Sequence, residues 1–272
     1  MIPELLTKAQ FDTVYNFLSF TIAAQLFTTI FLFASQRRVL PRYRQALVIS
    51  ATVTGIAAYH YFRIFNSFNE AFTTDAVGGN GTYSQAAGYS FNEGYRYVDW
   101  LLTVPLLLTE LVVVLALAKK LQASLLWRLI PASALMIALG YPGEISGDNM
   151  TRNVWGLLST IPFLYILYVL FVELTKSLDR QPEAVKSTVS NLRILLFATW
   201  GVYPIAYLLP IYFGDTGADA WVGKQIGYSL ADILAKCLYG LLIYKIARLK
   251  SYADDPEFEA VEGHPEHSRV AA

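Results

Sequence analysis

Asp232 and Lys236 lie four residues apart inside an apolar run, Tyr228-Ser-Leu-Ala-Asp-Ile-Leu-Ala-Lys-Cys-Leu-Tyr239. In a helix that spacing puts the carboxylate and the amine on one face, one turn apart. The run is long enough to cross a bilayer, which takes roughly 20 residues. Charge at that depth is costly and by default marks function. A lysine buried alone loses its proton, and a neutral amine condenses with an aldehyde to a Schiff base. A protonated Schiff base then needs counter-ions, which Asp232 and Asp99 would supply. A plain Lys–Asp structural pair satisfies the same spacing, so both readings stand on these residues alone.

A second set of candidates lies in Arg96-Tyr-Val-Asp99-Trp-Leu-Leu-Thr103-Val-Pro-Leu-Leu107-Leu-Thr-Glu110. Arg96, Asp99, Thr103, Leu107 and Glu110 recur at helical intervals and share one face. Asp99 and Glu110 are about 16 Å apart along a helix axis at 1.5 Å per residue. Acids stepped along an inward face suit a proton relay. A salt-bridged structural helix is the plainer reading, but Glu110 has no evident basic partner in its own helix. Trp200, Tyr203, Pro204 and Tyr207 form a further stripe. Core packing explains such a stripe; with Trp100, it also suits the walls of a flat pocket for a conjugated ligand.

The elements that would carry these residues follow from composition. Of 272 residues, 55% are hydrophobic and 15% charged, where soluble domains carry roughly 25% charged. Mean hydropathy is +0.40. The chain therefore reads as an integral membrane protein. Its formal net charge is zero, which gives no reason to expect a nucleic-acid partner, and nothing suggests a metal site. Cys237 is the lone cysteine, so no intrachain disulfide is possible. Met1 to Asp12 lacks the basic and apolar regions of a cleavable signal. Seven apolar segments run approximately over 12–35, 45–67, 95–118, 122–143, 153–175, 190–213 and 222–248. Continuous rather than alternating apolar runs select helices over a barrel. The expected fold is an all-α membrane protein, a seven-transmembrane-helix bundle over residues 1–250, followed by a disordered polar tail over 251–272 that holds His264 and His267.

Arg37, Arg38, Arg42, Arg44, Lys119, Lys120, Arg128, Lys176, Arg180 and Lys186 fall in alternate links, and Lys245, Arg248 and Lys250 close the last segment. The positive-inside rule then places the N-terminus outside and the C-terminus in the cytoplasm, in a multi-pass cell (inner) membrane protein. The long outer link, 66–93, is rich in Gly, Ser, Thr and Asn. Around Ala76-Val-Gly-Gly-Asn-Gly-Thr-Tyr83 it reads either as a short β-hairpin or as an irregular loop. The Asn80 sequon in it carries little weight.

The motifs Asp232-x-x-x-Lys236, Arg96-Tyr-x-Asp99-Trp-x-x-Thr103-x-Pro105 and Trp200-x-x-Tyr203-Pro204 together resemble those of the microbial rhodopsins, over nearly all of residues 10–250. The resemblance implies all-trans retinal bound as a Schiff base on Lys236. It implies that Asp99 accepts the Schiff-base proton, that Asp232 is a second counter-ion and that Glu110 returns a proton from the cytoplasm. The triad Asp99, Thr103 and Glu110 resembles that of proteorhodopsin- and xanthorhodopsin-like outward proton pumps, not that of sodium or chloride pumps. His60 matches the histidine that hydrogen-bonds the acceptor in that subgroup, and Leu107 matches a colour-tuning position where leucine goes with green absorption. Trp100, Met136, Gly140, Ser159, Phe163, Trp200, Tyr203, Pro204 and Tyr207 match the retinal pocket. Lys224 stands where archaeal pumps carry a release glutamate.

Local wording is most similar to the xanthorhodopsin-like members, notably Arg152-Asn-Val-Trp-Gly156-Leu-Leu-Ser-Thr160. In those members glycine at the position of Gly156 leaves a lateral window across which a carotenoid antenna lies. Thr160, Asn191, Ile205 and Tyr207 match its surroundings. A missing side chain removes a barrier and does not itself create affinity, and glycine also serves close packing in membrane helices. The resemblance thus implies an ion translocase rather than an enzyme, acting on protons in a lipid bilayer as a homo-oligomer. The alternatives are a sensory photoreceptor of the same family and a seven-helix receptor or transporter without retinal.

Overall fold

Seven long helices account for most of the chain in the computed structural model, which describes residues 2–74, 81–212 and 217–262. They are α1 (Lys8–Ala34), α2 (Pro41–Ala71), α3 (Gly94–Val114), α4 (Lys119–Glu144), α5 (Asn149–Leu178), α6 (Glu183–Tyr212) and α7 (Gly217–Asp254). Five of them are long and apolar enough to span a membrane: α1, α3, α4, α5 and α7. The hydropathy of α2 is diluted by Ser50, Thr52, Thr54 and His60, yet its stretch from Ala46 to Phe62 contains no Asp, Glu, Lys or Arg.

Burial is inverted relative to a water-soluble protein. Phe27, Trp127, Leu157 and Ile161 are exposed, whereas Arg96, Asp99, Glu110, Asp232 and Lys236 are each at most 2% exposed. Lipid solvates the first set at no cost. The second set needs partners inside the bundle.

Local chemistry sets the helix ends. Thr7 and Gln10 form a reciprocal capping box at the start of α1. Asp148 caps α5 by accepting from the Thr151 backbone and hydroxyl, both at 2.7 Å. The third apolar segment, expected to reach residue 118, stops as a helix at Val114. There the backbone tightens with Ala116 N–H donating to Val113 O, and Ala116 adopts φ +47°. Two helices are interrupted by a single wide π turn, Val169–Glu173 in α5 and Ile233–Leu238 in α7.

The hairpin expected in the outer link is present and is larger than anticipated. β2 (Phe72–Thr73) and β3 (Thr82–Gln85) pair antiparallel, and β1 (Leu5–Thr7) from the N-terminus adds to the other edge of β3. The ring of Tyr83 stacks on Phe11 with centroids 3.9 Å apart, which anchors the sheet to α1. The expected turn residues Ala76–Asn80, including the sequon asparagine, lie outside the described residues. The tail expected to be disordered from residue 251 is helical at first: α7 continues to Asp254, and α8 (Pro256–Glu262) follows. Its remainder, with His264 and His267, lies outside the described residues.

Polar contacts tie the helices at both ends of the bundle. At the end expected to face the cytoplasm, Ser251 accepts from Leu40 N–H at 2.9 Å, Arg42 pairs with Asp254 at 2.7 Å and Lys250 donates to Gln181 at 2.5 Å. At the opposite end Gln10 donates to Asp219, and Lys224 to Glu144, both at 2.6 Å. The basic links are thus gathered at one end of the bundle, as the charge pattern of the sequence demands.

Candidate functional site

The centre of the site is an ammonium between two carboxylates. The π turn of α7 carries Lys236, whose Nζ donates to Asp99 Oδ2 and lies 3.1 Å from Asp232 Oδ1. Such turns are frequent at functional sites, because one extra residue per turn re-aims a side chain. Asp232 also accepts from Tyr203 Oη at 2.5 Å, Tyr61 Oη at 2.8 Å and Trp100 Nε1 at 3.3 Å. Asp99 is held less completely: its Oδ1 is buried with no partner among the described residues.

Among the described residues, the hydrogen-bonded contacts of this centre lead toward the end of the bundle that carries Glu93. Arg96 Nη1 donates to Tyr61 Oη at 2.9 Å and Nη2 to Gln225 Oε1 at 2.7 Å. Gln225 Nε2 in turn reaches Glu93 at 3.2 Å. Asp232, Tyr61, Arg96, Gln225 and Glu93 therefore form one continuous hydrogen-bonded path to the end of the bundle expected to face outside. On the other side, Glu110 is fully buried beyond Leu107, where it accepts from Ser50, and its Oε1 has no partner among the described residues.

Lys236 also sits at one end of an apolar cavity enclosing roughly 890 Å³ of atom-free space, open mouth included, a size suited to a small organic ligand. Trp100, Leu107, Met136, Gly140 and Ser159 line it, together with Phe163, Trp200, Tyr203, Pro204 and Tyr207. The indole of Trp100 meets the Tyr203 ring edge-on at 4.8 Å. Aromatic walls with one amine and two acids at the end suit a conjugated aldehyde bound through its carbonyl carbon.

The description that matches the sequence is that of the bacteriorhodopsin-like proteins, over residues 13–249. The chain belongs to that family. It is 30% identical over 226 residues to the green-light absorbing proteorhodopsin of Gamma-proteobacterium EBAC31A08, covering 83% of this chain and 82% of the relative. Among solved structures, it is similar to a thermophilic rhodopsin at 45% identity and a TM-score of 0.88, covering 93% of this chain and 99% of that one. Xanthorhodopsin, described as a light-driven ion pump with dual chromophore, is likewise 45% identical, with a TM-score of 0.86 and coverage of 93% and 98%. Microbial rhodopsins bind retinal in the membrane, and the pumps among them translocate ions rather than transform a substrate. The lysine-ended apolar cavity of this rhodopsin fits that group.

The structure brings together every residue expected at the retinal pocket of this rhodopsin, and adds Tyr97, Val104, Ile137, Tyr228 and Ala235 to its lining. Gly156 and Thr160 line the same cavity; Asn191 and Ile205 do not, and lie exposed on the outer face of α6. The gap at Gly156 is not empty. The Tyr207 ring lies against it, 3.0 Å from where a Cβ would stand. Tyr207 is admitted by a second glycine that sequence reading missed: a Cβ on Gly143 would fall 1.9 Å from its hydroxyl, which donates to Arg152 O at 2.7 Å.

One contact differs from expectation. Among the described residues His60 makes no hydrogen bond to Asp99; its Nδ1 faces its own helix at Ile56 O, 2.9 Å away, and the Asp99 oxygen that is engaged is taken by Lys236. Thr103 donates at 2.8 Å to the backbone carbonyl of Asp99. Tyr61, Gln225, Glu93, Glu144 and Ser50 were missed. Tyr61 alone left a signal, since it shares the buried face of α2 with Ala57, Ile64 and Phe68.

Proposed function

We propose that this rhodopsin is a light-driven pump that carries protons outward. The observation that supports it most is the asymmetry about Lys236: two acids and a hydrogen-bonded path on the outer side, and one buried acid, Glu110, on the other. Retinal joined through the nitrogen of Lys236 supplies absorption of visible light and an isomerisation that changes the basicity and direction of that nitrogen. The proton held at Nζ passes to Asp99 Oδ2, the oxygen it already faces. Asp99 then shifts no protein partner at Oδ1, because it has none there. Asp232 stays in place under its three donors and acts as the second counter-ion. His60, without a hydrogen bond to Asp99, modulates it through space by its own charge. Glu110 pairs with no cation among the described residues, and an unpaired charge would be costly at that depth, so it keeps its proton until Nζ can take it. Leu107, buried on the α3 face between Asp99 and Glu110, separates the two sides, and Arg96 organises the outer half. The arginine- and lysine-rich links give the direction, with the N-terminus outside.

Illumination of cells suspended in unbuffered salt is expected to acidify the medium, and a protonophore is expected to abolish the signal. Lys236→Ala should lose both the signal and the visible band. Persistent absence of acidification from protein that shows the band would leave a photosensor.

The reading extends to a carotenoid antenna on the lipid face beside Gly156. Leu157, Ile161 and Ile205 make that face apolar, at 69%, 66% and 63% exposure, and the Tyr207 ring packs against Gly156 at the cavity wall beside it. With carotenoid added, the excitation spectrum for pumping should gain carotenoid bands, and Gly156→Trp should remove them. Bands that survive that substitution would rule out this route.

A further inference from the structure

Gln25 sits in the middle of α1, and neither the retinal site nor the proton relay uses it. It lies about 25 Å along the axis from Lys8 and about 14 Å from Ala34 at 1.5 Å per residue, too deep for its short side chain to reach either interface. It is 0% exposed, and neither end of its amide, Oε1 nor Nε2, has a partner among the described residues. Exchanging the two ends would leave both unpaired all the same. Orphaned amide groups are costly in an apolar interior, and an apolar residue of like shape would avoid that cost.

The helix packs on α2 and α7, so a buried side chain on it points into the seam between them. Two neighbours give the register. Leu32 lies against Gly240, where a Cβ would stand 3.1 Å from Leu32 Cδ1, and Thr28 hydrogen-bonds with the Cys237 thiol. One turn nearer the start of α1, Gln25 therefore faces the wide turn Ile233–Leu238, on which α1 also packs. It meets that turn from behind, because the lining of the retinal cavity includes no residue of α1. The hydroxyls around it have already given their protons to their own helices. Thr21 donates to Phe17 O at 2.7 Å, Thr28 to Ala24 O at 2.7 Å and Thr54 to Ser50 O at 3.1 Å. Such groups offer lone pairs to Nε2 but no proton to Oε1. A water offers both, since it donates twice and accepts twice, and buried waters typically keep two to four polar partners.

We infer that Gln25 seats an internal water in the seam between α1, α2 and α7, and that through this water it positions the turn of α7 that carries Lys236. The inference needs retinal on Lys236 and does not depend on transport or its direction. Isomerisation moves the Lys236 side chain, and the backbone of the turn yields behind it. A water held against the turn follows by re-forming its hydrogen bonds, where close-packed aliphatic groups resist. The contact between Thr28 and Cys237 moves with the turn. The hydroxyl proton of Thr28 is engaged at Ala24 O, so the thiol is the donor of that pair. Its S–H stretch reports the movement without ambiguity, because Cys237 is the lone cysteine.

The test uses the full chain loaded with retinal, in membranes, and records light-minus-dark infrared spectra in ordinary and in oxygen-18 water. The parent is expected to show a water O–H band that shifts with oxygen-18, and a light-induced S–H band that Cys237→Ser removes. Gln25→Met keeps the length of the side chain and removes both polar ends. It should show one oxygen-18-sensitive band fewer than the parent and a displaced S–H band. The visible maximum should stay in place, because Lys236, Asp99 and Asp232 are untouched. The thermal midpoint of Gln25→Met should fall, whereas relief of a merely orphaned amide would raise it. A Gln25→Met protein that keeps every oxygen-18-sensitive band, leaves the S–H band unmoved or melts at a higher temperature overturns the inference. If Gln25→Met binds no retinal, Gln25→Leu takes its place under the same criteria. A parent that shows these bands but no flash-induced pH change defeats the pump reading alone and leaves the water site standing.

Discussion

Glu110 illustrates how far single residues decide behaviour in this bundle. Among the described residues its hydrogen bond comes from Ser50, and it lies about 16 Å from Asp99 along α3 at 1.5 Å per residue. As the acid that refills Nζ it should contribute on the scale of a positioned proton donor, roughly 10²-fold or more in rate. Glu110→Gln is therefore expected to slow recovery of the visible band after a flash by about that factor. The slow rate should fall further as pH rises, because the proton must then come from solution. Recovery that neither slows nor gains pH dependence would remove Glu110 from the relay. Residues of this kind were legible because types and intervals sufficed: Asp232 and Lys236 share a face by spacing, as do Asp99 and Glu110. Tyr61 and Gln225 were not. An aromatic on a buried helix face and an amide near a helix start look like ordinary packing until Arg96 is seen between them.

Among the elements, α5 shows what sequence conceals. Its apolar segment was expected to begin near residue 153, and the helix starts earlier, at Asn149, because Asp148 caps it. The hydroxyl of Thr151 and then the backbone hold the Asp148 carboxyl below its usual range. A depressed folded value means that the cap stabilises fully above the unfolded carboxylate value of about 3.9 and loses that contribution as pH falls through the folded value. Asp148→Ala should therefore lower the thermal midpoint at pH 7. The gap to the parent should narrow below about pH 4, as acid removes the charge from the parent's cap. A gap that stays constant down to pH 2 would show that charge at the cap is irrelevant. The π turn at Val169–Glu173 left no mark in the sequence, because no proline or glycine announces it. It is sustained from another helix: Arg193 Nη1 donates to Leu170 O at 2.9 Å and to Thr175 Oγ1 at 2.6 Å. β1 was equally hidden, since a three-residue strand is specified by its partner β3, some 75 residues further along the chain.

Across the whole molecule, apolar length and charge asymmetry were enough to anticipate seven helices, and the inverted burial confirms that they are built for lipid. The sidedness remains an inference from Lys and Arg, and labelling checks it. Cys237 is buried, so with it replaced by alanine, Lys8→Cys should react with an impermeant maleimide on intact cells. Lys120→Cys should react only after lysis. The reverse pattern would invert the pump. The same global view gives the wide turn at Ile233–Leu238 a meaning for inheritance. The turn holds one residue more than an α-helical turn needs, so losing one residue there returns it to α geometry and leaves the rest of α7 in phase, with Lys250 still at Gln181 and Ser251 still at Leu40. What such a loss would change is the aim of Lys236 within the turn. Selection on the length of that turn therefore acts through the amine it carries and not through the closing half of the bundle.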